Sequence, residues 1–563
     1  IVGYVVAESE AGQASLPGTL TEFLEESLPE YMVPGHIMVL EEFPLNTTGK
    51  VDRHSLPAPK ADRPSEDREL TEPEGERERQ LAEEWRELLG FERLGVEENF
   101  FDLGGTSLMI ARLGLRIKDR FGVEVPVKSM YENPTIGAIA ERIEQAEGAE
   151  EESSQLCFNP TLDLQEEAEL AADITGEGPR VDPEEPLDEV LLTGATGFVG
   201  AHLLAELLEQ TSAAVHCLVR GDSSEHLEER LEAAFETFGL DGDLLGERVR
   251  PVAGDLAAEK LGLEGSTYER LATGVDAVYH NGAKVDQVRS YEDMKPPNVT
   301  GTERMLRLAC TGRVTPFHYV STLGSVHHPD YAEEGSVPES APFGPLGELP
   351  NGYMQTKCVG EQMVQEAADR GMPAAVYRLG AVSGHTETGV MEPADFTYSI
   401  LRTAIDLGIA PDLDWDLMIT PVDFVAGSIA TLSRWTDGLG RTFHVTHPQP
   451  NHLRDVVGLL GEMGHEIEFV PFEAFLDRLS EETRSGGETP LLRFLPYLSQ
   501  RVPGGSHYKA EEYYVPVDWD CDNLTTGLAE MGAPTSPPAV DELVPFYLEH
   551  LARGGYIESA TNA

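Results

Sequence analysis

The sequence predicts a multidomain chain: a small α+β piece, a four-helix bundle, and an α/β doubly wound parallel sheet with a smaller C-terminal subdomain. Three observations predict it. At 563 residues the chain exceeds the roughly 100–200 residues of one ordinary domain. Apolar residues recur at helical spacing in separate segments between residues 72 and 147, which is bundle patterning. From residue 190 a strand, a glycine-rich turn and a helix follow in that order, and such a unit opens a layered α/β domain.

Composition narrows the function classes. Hydrophobic residues make up 40 %, enough for real cores. Lys plus Arg number 41 against 100 Asp plus Glu, a formal charge of −59. Such a surface repels phosphate backbones and anionic lipid, so neither nucleic acid nor a membrane is expected as a partner. A salt-rich cytoplasm favours a dense carboxylate surface; simple solubility accounts for it equally. The five cysteines, Cys157, Cys217, Cys310, Cys358 and Cys521, are scattered, with no Cys-x-x-Cys pair or Cys/His cluster. Neither a disulfide framework nor a metal site is indicated, and a reducing, cytoplasmic location fits. No apolar run approaches the roughly 18 residues of a membrane span. Ile1-Val2-Gly3-Tyr4-Val5-Val6 lacks Met and a basic region, so it reads as the start of a piece cut inside a domain rather than as a signal peptide.

Residues 1–62 come first. Ile1–Ala7 and His36–Leu40 are β-branched and apolar, hence strands. Thr19–Leu28 carries Leu20, Phe23, Leu24 and Leu28 on one helical face. Leu28-Pro29-Glu30-Tyr31-Met32-Val33-Pro34 and Pro44-Leu45-Asn46-Thr47-Thr48-Gly49-Lys50-Val51-Asp52-Arg53 resemble the C-terminal subdomain of adenylation enzymes. The resemblance implies that Lys50 matches the lysine that contacts the carboxylate and adenylate. As a residue alone it is a solvated loop lysine. The large nucleotide-binding subdomain of that family would precede residue 1, so no adenylation is expected of these residues alone.

Asp62–Glu74 is charged and interrupted by proline, a linker by composition. Leu81, Ala82, Trp85, Leu88 and Leu89 mark one amphipathic helix, and Ile136, Ile139 and Ile143 another. Between them lies Asn99-Phe100-Phe101-Asp102-Leu103-Gly104-Gly105-Thr106-Ser107-Leu108. Met109, Ile110, Leu113, Ile117 and Phe121 then follow on one helical face, so Ser107 opens that helix. A bare Gly-Gly-Thr-Ser would as readily be a helix N-cap. A phosphate ester on Ser107 would meet free N–H groups and the positive helix end. The whole run resembles the attachment site of peptidyl carrier proteins in nonribosomal peptide synthetases, with Thr106 where the common version has His. That resemblance makes 72–147 a carrier bundle. It implies a 4′-phosphopantetheine arm on Ser107, installed by a phosphopantetheinyl transferase and loaded by upstream synthetase modules. Glu147–Ser154 is acidic and reads as a flexible tether; Asp163–Ile174 reads as a helix introducing the next domain.

Residues 160–563 carry the third domain. Val190–Thr193 is a buried-type strand. Gly194-Ala195-Thr196-Gly197-Phe198-Val199-Gly200 and the helical run Ala201–Leu208 follow. This is the order that pyrophosphate binding needs. Gly194 makes the turn, Gly197 lets the backbone approach, and Gly200 lets helix and strand pack. Thr196, Phe198 and Val199 fall in the same turn. The next strand, Ala214–Val219, ends at Arg220, where a ribose-binding acid would favour NAD; arginine suits a 2′-phosphate and hence NADPH. Arg230 joins it, or is a solvated helix arginine. Val249–Ala253 with Gly254-Asp255-Leu256 gives a third strand and an adenine contact. Ala277–Ala283, with Asn281 and Ala283 at its end, gives a fourth that passes beneath the cofactor.

Phe317–Thr322 is a strand ending in hydroxyls, and Tyr353 and Lys357 follow at i and i+4 of one helix. A cationic Lys357 would lower the Tyr353 phenol toward neutral pH. Thr322 would bond the same substrate oxygen. The Rossmann-like pattern with this pair resembles an extended short-chain dehydrogenase/reductase. More narrowly it resembles the terminal thioester reductase domains of nonribosomal peptide synthetases. The matching stretches are Thr193–Gly200, Cys217–Arg220, Gly254–Leu256, Tyr319–Thr322, Tyr353–Lys357 and Tyr377-Arg378-Leu379-Gly380, with Thr420–Val425 the last. The loop after Thr322 is one residue longer than the pattern, leaving Ser325 as an alternative to Thr322. Residues 430–563 should form a substrate-side subdomain.

The resemblance implies NADPH-dependent reductive release of a carrier-bound thioester as an aldehyde, which a second hydride would take to an alcohol. A monomer suffices for it. A non-redox, Dieckmann-type cyclising release domain is one alternative, but its kind usually lacks the tyrosine. A nucleotide-sugar epimerase or dehydratase fused to a carrier, and a scaffold with a vestigial cofactor fold, are the others.

Overall fold

The computed structural model describes residues 2–6, 20, 36–40, most of 70–147, and 162–553 save for short stretches at 222, 288, 327–330, 332–334, 347–348, 486, 488 and 501–507. The expected helix at Thr19–Leu28 (beyond Leu20), the Lys50 loop and the Glu147–Ser154 tether (beyond Glu147, which ends a helix) lie outside the described residues. The chain divides into two compact units, Ile1–Leu156 with Thr483–Gly486, and Cys157–Glu482 with Gly487–Ala563.

In the first unit β1 (Val2–Val6) and β2 (His36–Leu40) pair in parallel, Val2 opposite His36 and Val6 opposite Leu40. Helices α1 (Glu76–Leu89), α2 (Ser107–Phe121) and α3 (Ile136–Glu147) follow. Between α2 and α3, Met130 is helical and fully buried, and most of its neighbours lie outside the described residues. Leu81 and Trp85 of α1, Ile110, Leu113 and Ile117 of α2, and Ile136, Ile139 and Ile143 of α3 share one core. Trp85 sits edge-on to Phe100, ring centroids 4.8 Å apart. Arg116 and Arg120 of α2 pair with Glu83, Glu84 and Glu87 of α1. These pairs are part-exposed and set register more than stability.

The segment before Ser107 is shaped by one glycine. The Gly105 N–H donates to the Phe100 carbonyl at 2.9 Å. A Cβ at Gly105 would lie 2.2 Å from the Phe100 ring. The chain thus crosses over a core aromatic with no room for a side chain, and α2 begins two residues later at Ser107.

The second unit is built on a seven-stranded, all-parallel sheet. Its strands are β3 (Glu189–Thr193), β4 (Ala214–Val219), β5 (Val249–Ala253), β6 (Ala277–His280), β7 (Phe317–Thr322), β8 (Ala374–Leu379) and β9 (Thr442–Val445), in the order β9-β8-β7-β6-β3-β4-β5. The order reverses between β3 and β6, which opens a crevice at the carboxyl ends of those strands. Side chains alternate between faces. Val190 and Leu192 join a core with α4 (Phe198–Gln210), α5 (Ser224–Thr237) and α8 (Val422–Leu432). Leu191, Val278 and Tyr319 join a second core with α6 (Gly301–Cys310) and α7 (Gly352–Asp369). Burial on both faces explains the unbroken apolar runs of these strands.

Two expectations are corrected. The helix expected over Asp163–Ile174 is four residues long, Leu164–Glu167, capped by Asp163. The reason lies downstream: the Arg370 guanidinium takes the carbonyls of Leu170, Ala171 and Ile174 at 2.8–3.1 Å. The expected strand Ala277–Ala283 ends at His280, leaving Asn281 and Ala283 in a loop.

Truncating Trp85 to Ala deletes the largest side chain of the bundle core and should cost about 3–5 kcal/mol. In urea denaturation followed by hydrogen exchange, amides of 76–147 should lose protection while those of 189–445 keep theirs.

Candidate active site

The glycine turn is built as pyrophosphate binding requires. Gly194 has φ +77°, a left-handed conformation that a side chain disfavours. A Cβ at Gly200 would stand 1.9 Å from the Gly194 carbonyl, so α4 is packed onto the turn at its closest limit. Gly197 is exposed and is the N-cap of α4, with no side chain to cap the helix. Its first N–H groups are therefore available to an anion. Thr196 and Val199 are half-buried beside it, while Phe198 turns inward against His202, 5.1 Å between rings. The Asn281 amide donates to the Gly194 carbonyl at 3.4 Å. Leu256 lies against Gly282, next to Asn281 and Ala283; its methyl is 3.0 Å from where a Cβ of Gly282 would be. The Asp255 carboxylate accepts the Ala257 N–H at 2.8 Å and so closes the turn after β5.

Arg220 is exposed at the end of β4. Arg230, on α5, donates to the Arg220 carbonyl at 3.2 Å. Burial and then the Arg220 charge hold the Arg230 guanidinium below its usual value. Two like charges kept together at the end of β4 suit a doubly charged phosphate. The turn, the open helix end and these arginines fit a phosphorylated dinucleotide.

A directed chain of buried hydrogen bonds links this turn to α7. Thr193 Oγ1 accepts the Gly282 N–H (2.8 Å) and donates to His280 Nδ1 (2.8 Å), the direction set at the far side of the ring, where Thr302 has its proton on Asn298. His280 Nε2–H then faces Thr302 Oγ1 (3.1 Å), which donates to the Asn298 carbonyl (2.6 Å). The tautomer follows from the partners, and burial, with the nearby Lys357 charge, pushes the His280 imidazole down to about 3, keeping it neutral. The Asn298 side chain clamps the Lys284 backbone on both sides (2.7 and 2.9 Å) and donates to Thr356 Oγ1 (3.0 Å). Thr356 closes onto the Tyr353 carbonyl at 2.8 Å.

Helix α7 begins at a fully buried N-cap, Asn351, which accepts the Met354 N–H at 2.9 Å. That cap places Tyr353 in the first turn, half-buried. Lys357, one turn on, is 3 % exposed. Its Nζ donates to the Val320 carbonyl of β7 at 2.6 Å and stands 4.0 Å from the Tyr319 ring centroid. The Thr322 hydroxyl, half-exposed at the tip of β7, accepts the Gly324 N–H at 3.2 Å. A hydroxyl has one proton and two lone pairs; with an N–H received, its own proton is free for a substrate oxygen. Ser325 is fully buried, and its one hydroxyl proton is shared between the Thr322 carbonyl (2.7 Å) and the Glu361 carboxylate (3.0 Å). Of the two candidates, Thr322 is the one that opens outward.

The electrostatics correct the expected effect of Lys357 on Tyr353. Burial pushes the Tyr353 phenol up to about 12. Burial likewise lowers Lys357 to about 7, against the opposing pull of Glu361. Desolvation is the cause of the Tyr353 shift, so the phenol is a protonated donor throughout the neutral range. Sequence reasoning left Glu361, Ser321 and Asn298 without roles. Glu361 was within reach, since it continues the Tyr353, Lys357 stripe at the next i+4.

Comparisons with known proteins find relatives for both parts of the chain. Residues 79–143 match the phosphopantetheine attachment site family, and 192–429 match the male sterility protein family of NAD-binding domains. The chain is 33 % identical to a component of the linear gramicidin synthase of Brevibacillus parabrevis over 100 % of its own length and 11 % of that protein. It is 29 % identical to the L-2-aminoadipate reductase large subunit of Penicillium chrysogenum over 96 % of its length and 41 % of that protein. It therefore spans well under two thirds of either. The terminal R domain from the myxalamid PKS-NRPS biosynthetic pathway superposes with a TM-score of 0.64 at 32 % identity, over 70 % of this chain and 98 % of that one. A thiolation-reductase di-domain from an archaeal nonribosomal peptide synthetase shares the fold, with a TM-score of 0.65 at 23 % identity over 87 % of this chain and all of that one. With the phosphopantetheine attachment site family matched over 79–143, the NAD-binding family over 192–429, and 32 % identity to nearly the whole of a terminal R domain, the chain belongs to the nonribosomal peptide synthetase modules that end in a reductase domain.

Proposed function

We propose that this chain releases a carrier-bound acyl or peptidyl thioester by reduction, with NADPH as the reductant and Ser107 as the attachment point of the 4′-phosphopantetheine arm. The observation that carries the reading is the contact between α7 and β7. Lys357 is locked to Val320, two residues before the outward-facing Thr322, and Tyr353 lies one turn away. The net change is thioester plus NADPH and a proton to aldehyde, free thiol and NADP⁺; a second round takes the aldehyde to the alcohol.

When bound, the dinucleotide supplies the hydride for the thioester carbonyl carbon. Gly194, Thr196, Gly197, Phe198, Val199 and Gly200 would hold its pyrophosphate, Arg220 and Arg230 its 2′-phosphate, and Asp255 and Leu256 its adenine, with Asn281 and Ala283 beneath the cofactor and Lys357 at its nicotinamide ribose. The residues of the chain do the rest. Thr322 donates its free proton toward the carbonyl oxygen and Tyr353 donates the second hydrogen bond, so charge developing on that oxygen meets two preset dipoles. Lys357 adds a buried positive charge and holds β7 against α7. Tyr353, protonated up to about 12, also has a proton to give.

The domains are assigned as 1–62 adenylation C-terminal subdomain, 72–147 carrier and 160–563 reductase. Carrying both parts on one chain makes delivery intramolecular, at an effective concentration on the order of mM for a short flexible linker. Upstream modules and a phosphopantetheinyl transferase are the partners, one copy of the chain suffices, and the cytoplasm is where the reductant is found. No described helix is long and apolar enough to cross a membrane.

Three outcomes test this. NADPH absorbance should fall when the pantetheinylated, acyl-loaded chain is mixed with it, and Tyr353→Phe should slow that loss by about 10²-fold or more; unchanged oxidation in the variant refutes the mechanism. Arg220→Ser should weaken NADPH binding about tenfold or more, the worth of a charge-assisted bond, and leave NADH binding unchanged in fluorescence titrations. For pH, Lys357 is cationic below about 7 and neutral above it. The kcat/KM profile should therefore fall as pH rises through neutrality, and Lys357→Met should flatten that limb while lowering the rate throughout.

A further inference from the structure

We propose that Glu361 is a positioning residue for the reaction and sets the direction of the Thr322 hydroxyl through Ser321 and Ser325. The inference rests on the reductase reading above.

Glu361 is fully buried on α7, one turn beyond Lys357 and two beyond Tyr353. Its two oxygens face different duties. Oε1 receives the Arg378 guanidinium from β8, Nε at 2.8 Å and Nη2 at 2.7 Å. Oε2 receives the Ser321 hydroxyl at 2.6 Å and the Ser325 hydroxyl at 3.0 Å. Arg378 is itself 1 % exposed, and its Nη1 donates to the Glu339 carbonyl and to His444 Nε2, both at 3.2 Å. The pair is therefore fully bonded, the condition under which a buried ion pair is tolerated.

A pair that served only to hold α7 on β8 would need Oε1 alone. Oε2 instead grips the chain on both sides of Thr322. Ser321 precedes it. Ser325 follows it and also binds the Thr322 carbonyl at 2.7 Å. Within that bracket the Gly324 N–H reaches Thr322 Oγ1 at 3.2 Å, which fills one lone pair and leaves the threonine proton for another acceptor. The same helix thus fixes both sides of the site, Lys357 through the Val320 carbonyl and Glu361 through the hydroxyls of Ser321 on that strand and Ser325 in the loop after it. Displacements of about 1 Å at a reacting oxygen change rates by about 10²-fold, so a brace at this point reads out in the chemical step.

The test uses the full chain with NADPH and octanoyl-pantetheine thioester as probe. Ser321→Ala/Ser325→Ala removes both hydroxyls and keeps the Glu361–Arg378 pair, so folding is preserved where Glu361→Gln, which leaves a buried arginine unpaired, is at risk. The double variant should lose about tenfold or more in kcat with KM for NADPH within about threefold. In hydrogen exchange the Gly324 amide should exchange faster. Adding Thr322→Ala to the double variant should make it no slower than Thr322→Ala alone, because the three hydroxyls act as one unit. Additive losses, or a double variant with wild-type kcat and Gly324 protection, overturn the proposal. A wild-type chain that oxidises no NADPH with this probe or when acyl-loaded defeats the reductase reading instead, and the Gly324 exchange then still decides whether the serines hold this loop.

Discussion

The position of α7 against β7 and β8 is the constraint on which the rest of the second unit depends. It is fixed by charges taken out of water. Lys357 and Glu361 are buried on one helix stripe, and each finds its partner on the sheet, the Val320 carbonyl and Arg378. Leaving either charge unpaired would cost several kcal/mol. A sliding or rotated helix therefore loses far more than the apolar contacts of Val359, Met363 and Val364 would by themselves imply. Small residues finish the fit: a Cβ at Gly360 would sit 2.5 Å from the Tyr319 hydroxyl, and one at Gly352 2.4 Å from the Tyr291 nitrogen. Close approach and buried charge together give one register for the helix that carries the chemistry.

The same low dielectric sets the protonation states. Burial drives Tyr353 up and Lys357 down, and it keeps His280 and His318 neutral, each near 3. Neutral histidines act as fixed spacers: His318 stacks on Tyr279 at 5.0 Å and bonds the Tyr377 hydroxyl at 3.1 Å. With these rings unable to charge near neutral pH, Lys357 is left as the group on the α7–β7 contact that titrates there. The desolvation that makes the site costly to fold also makes its donors strong, since nothing mobile competes for them.

Much of this was legible in the sequence, for identifiable reasons. Strands buried on both faces read as continuous apolar runs, and Val190–Thr193 or Ala214–Val219 needs no tertiary information. The Gly194, Gly197, Gly200 spacing encodes steric demands that the 1.9 Å approach at Gly200 makes explicit. Tyr353 and Lys357 share a face through helix geometry alone. What escaped depends on long-range partners. Nothing near Asp163 says that Arg370, some 200 residues away along the chain, will take the carbonyls of 170–174. Nor does any local pattern say that Glu361 meets Ser321 and Ser325. The sign of the Tyr353 shift escaped for the same reason, because spacing reports a neighbouring charge and is blind to burial.

Charge brings the two units into one argument. The chain carries −59 overall, yet the cofactors its sites call for are phosphates: a dinucleotide and a phosphopantetheine arm. Repulsion from distant carboxylates is screened beyond about 8 Å at physiological ionic strength, so attraction has to be supplied within that distance. Positive groups lie close together at one such place, Arg220 and Arg230 at the end of β4, and the helix end at Gly197 carries no side-chain cap. An arm attached covalently, as proposed for Ser107 at the start of α2, would need no such basic cluster, because a bond replaces affinity. An acidic surface is then compatible with both ligands, since short-range cationic contacts would suffice for the one and a covalent bond for the other.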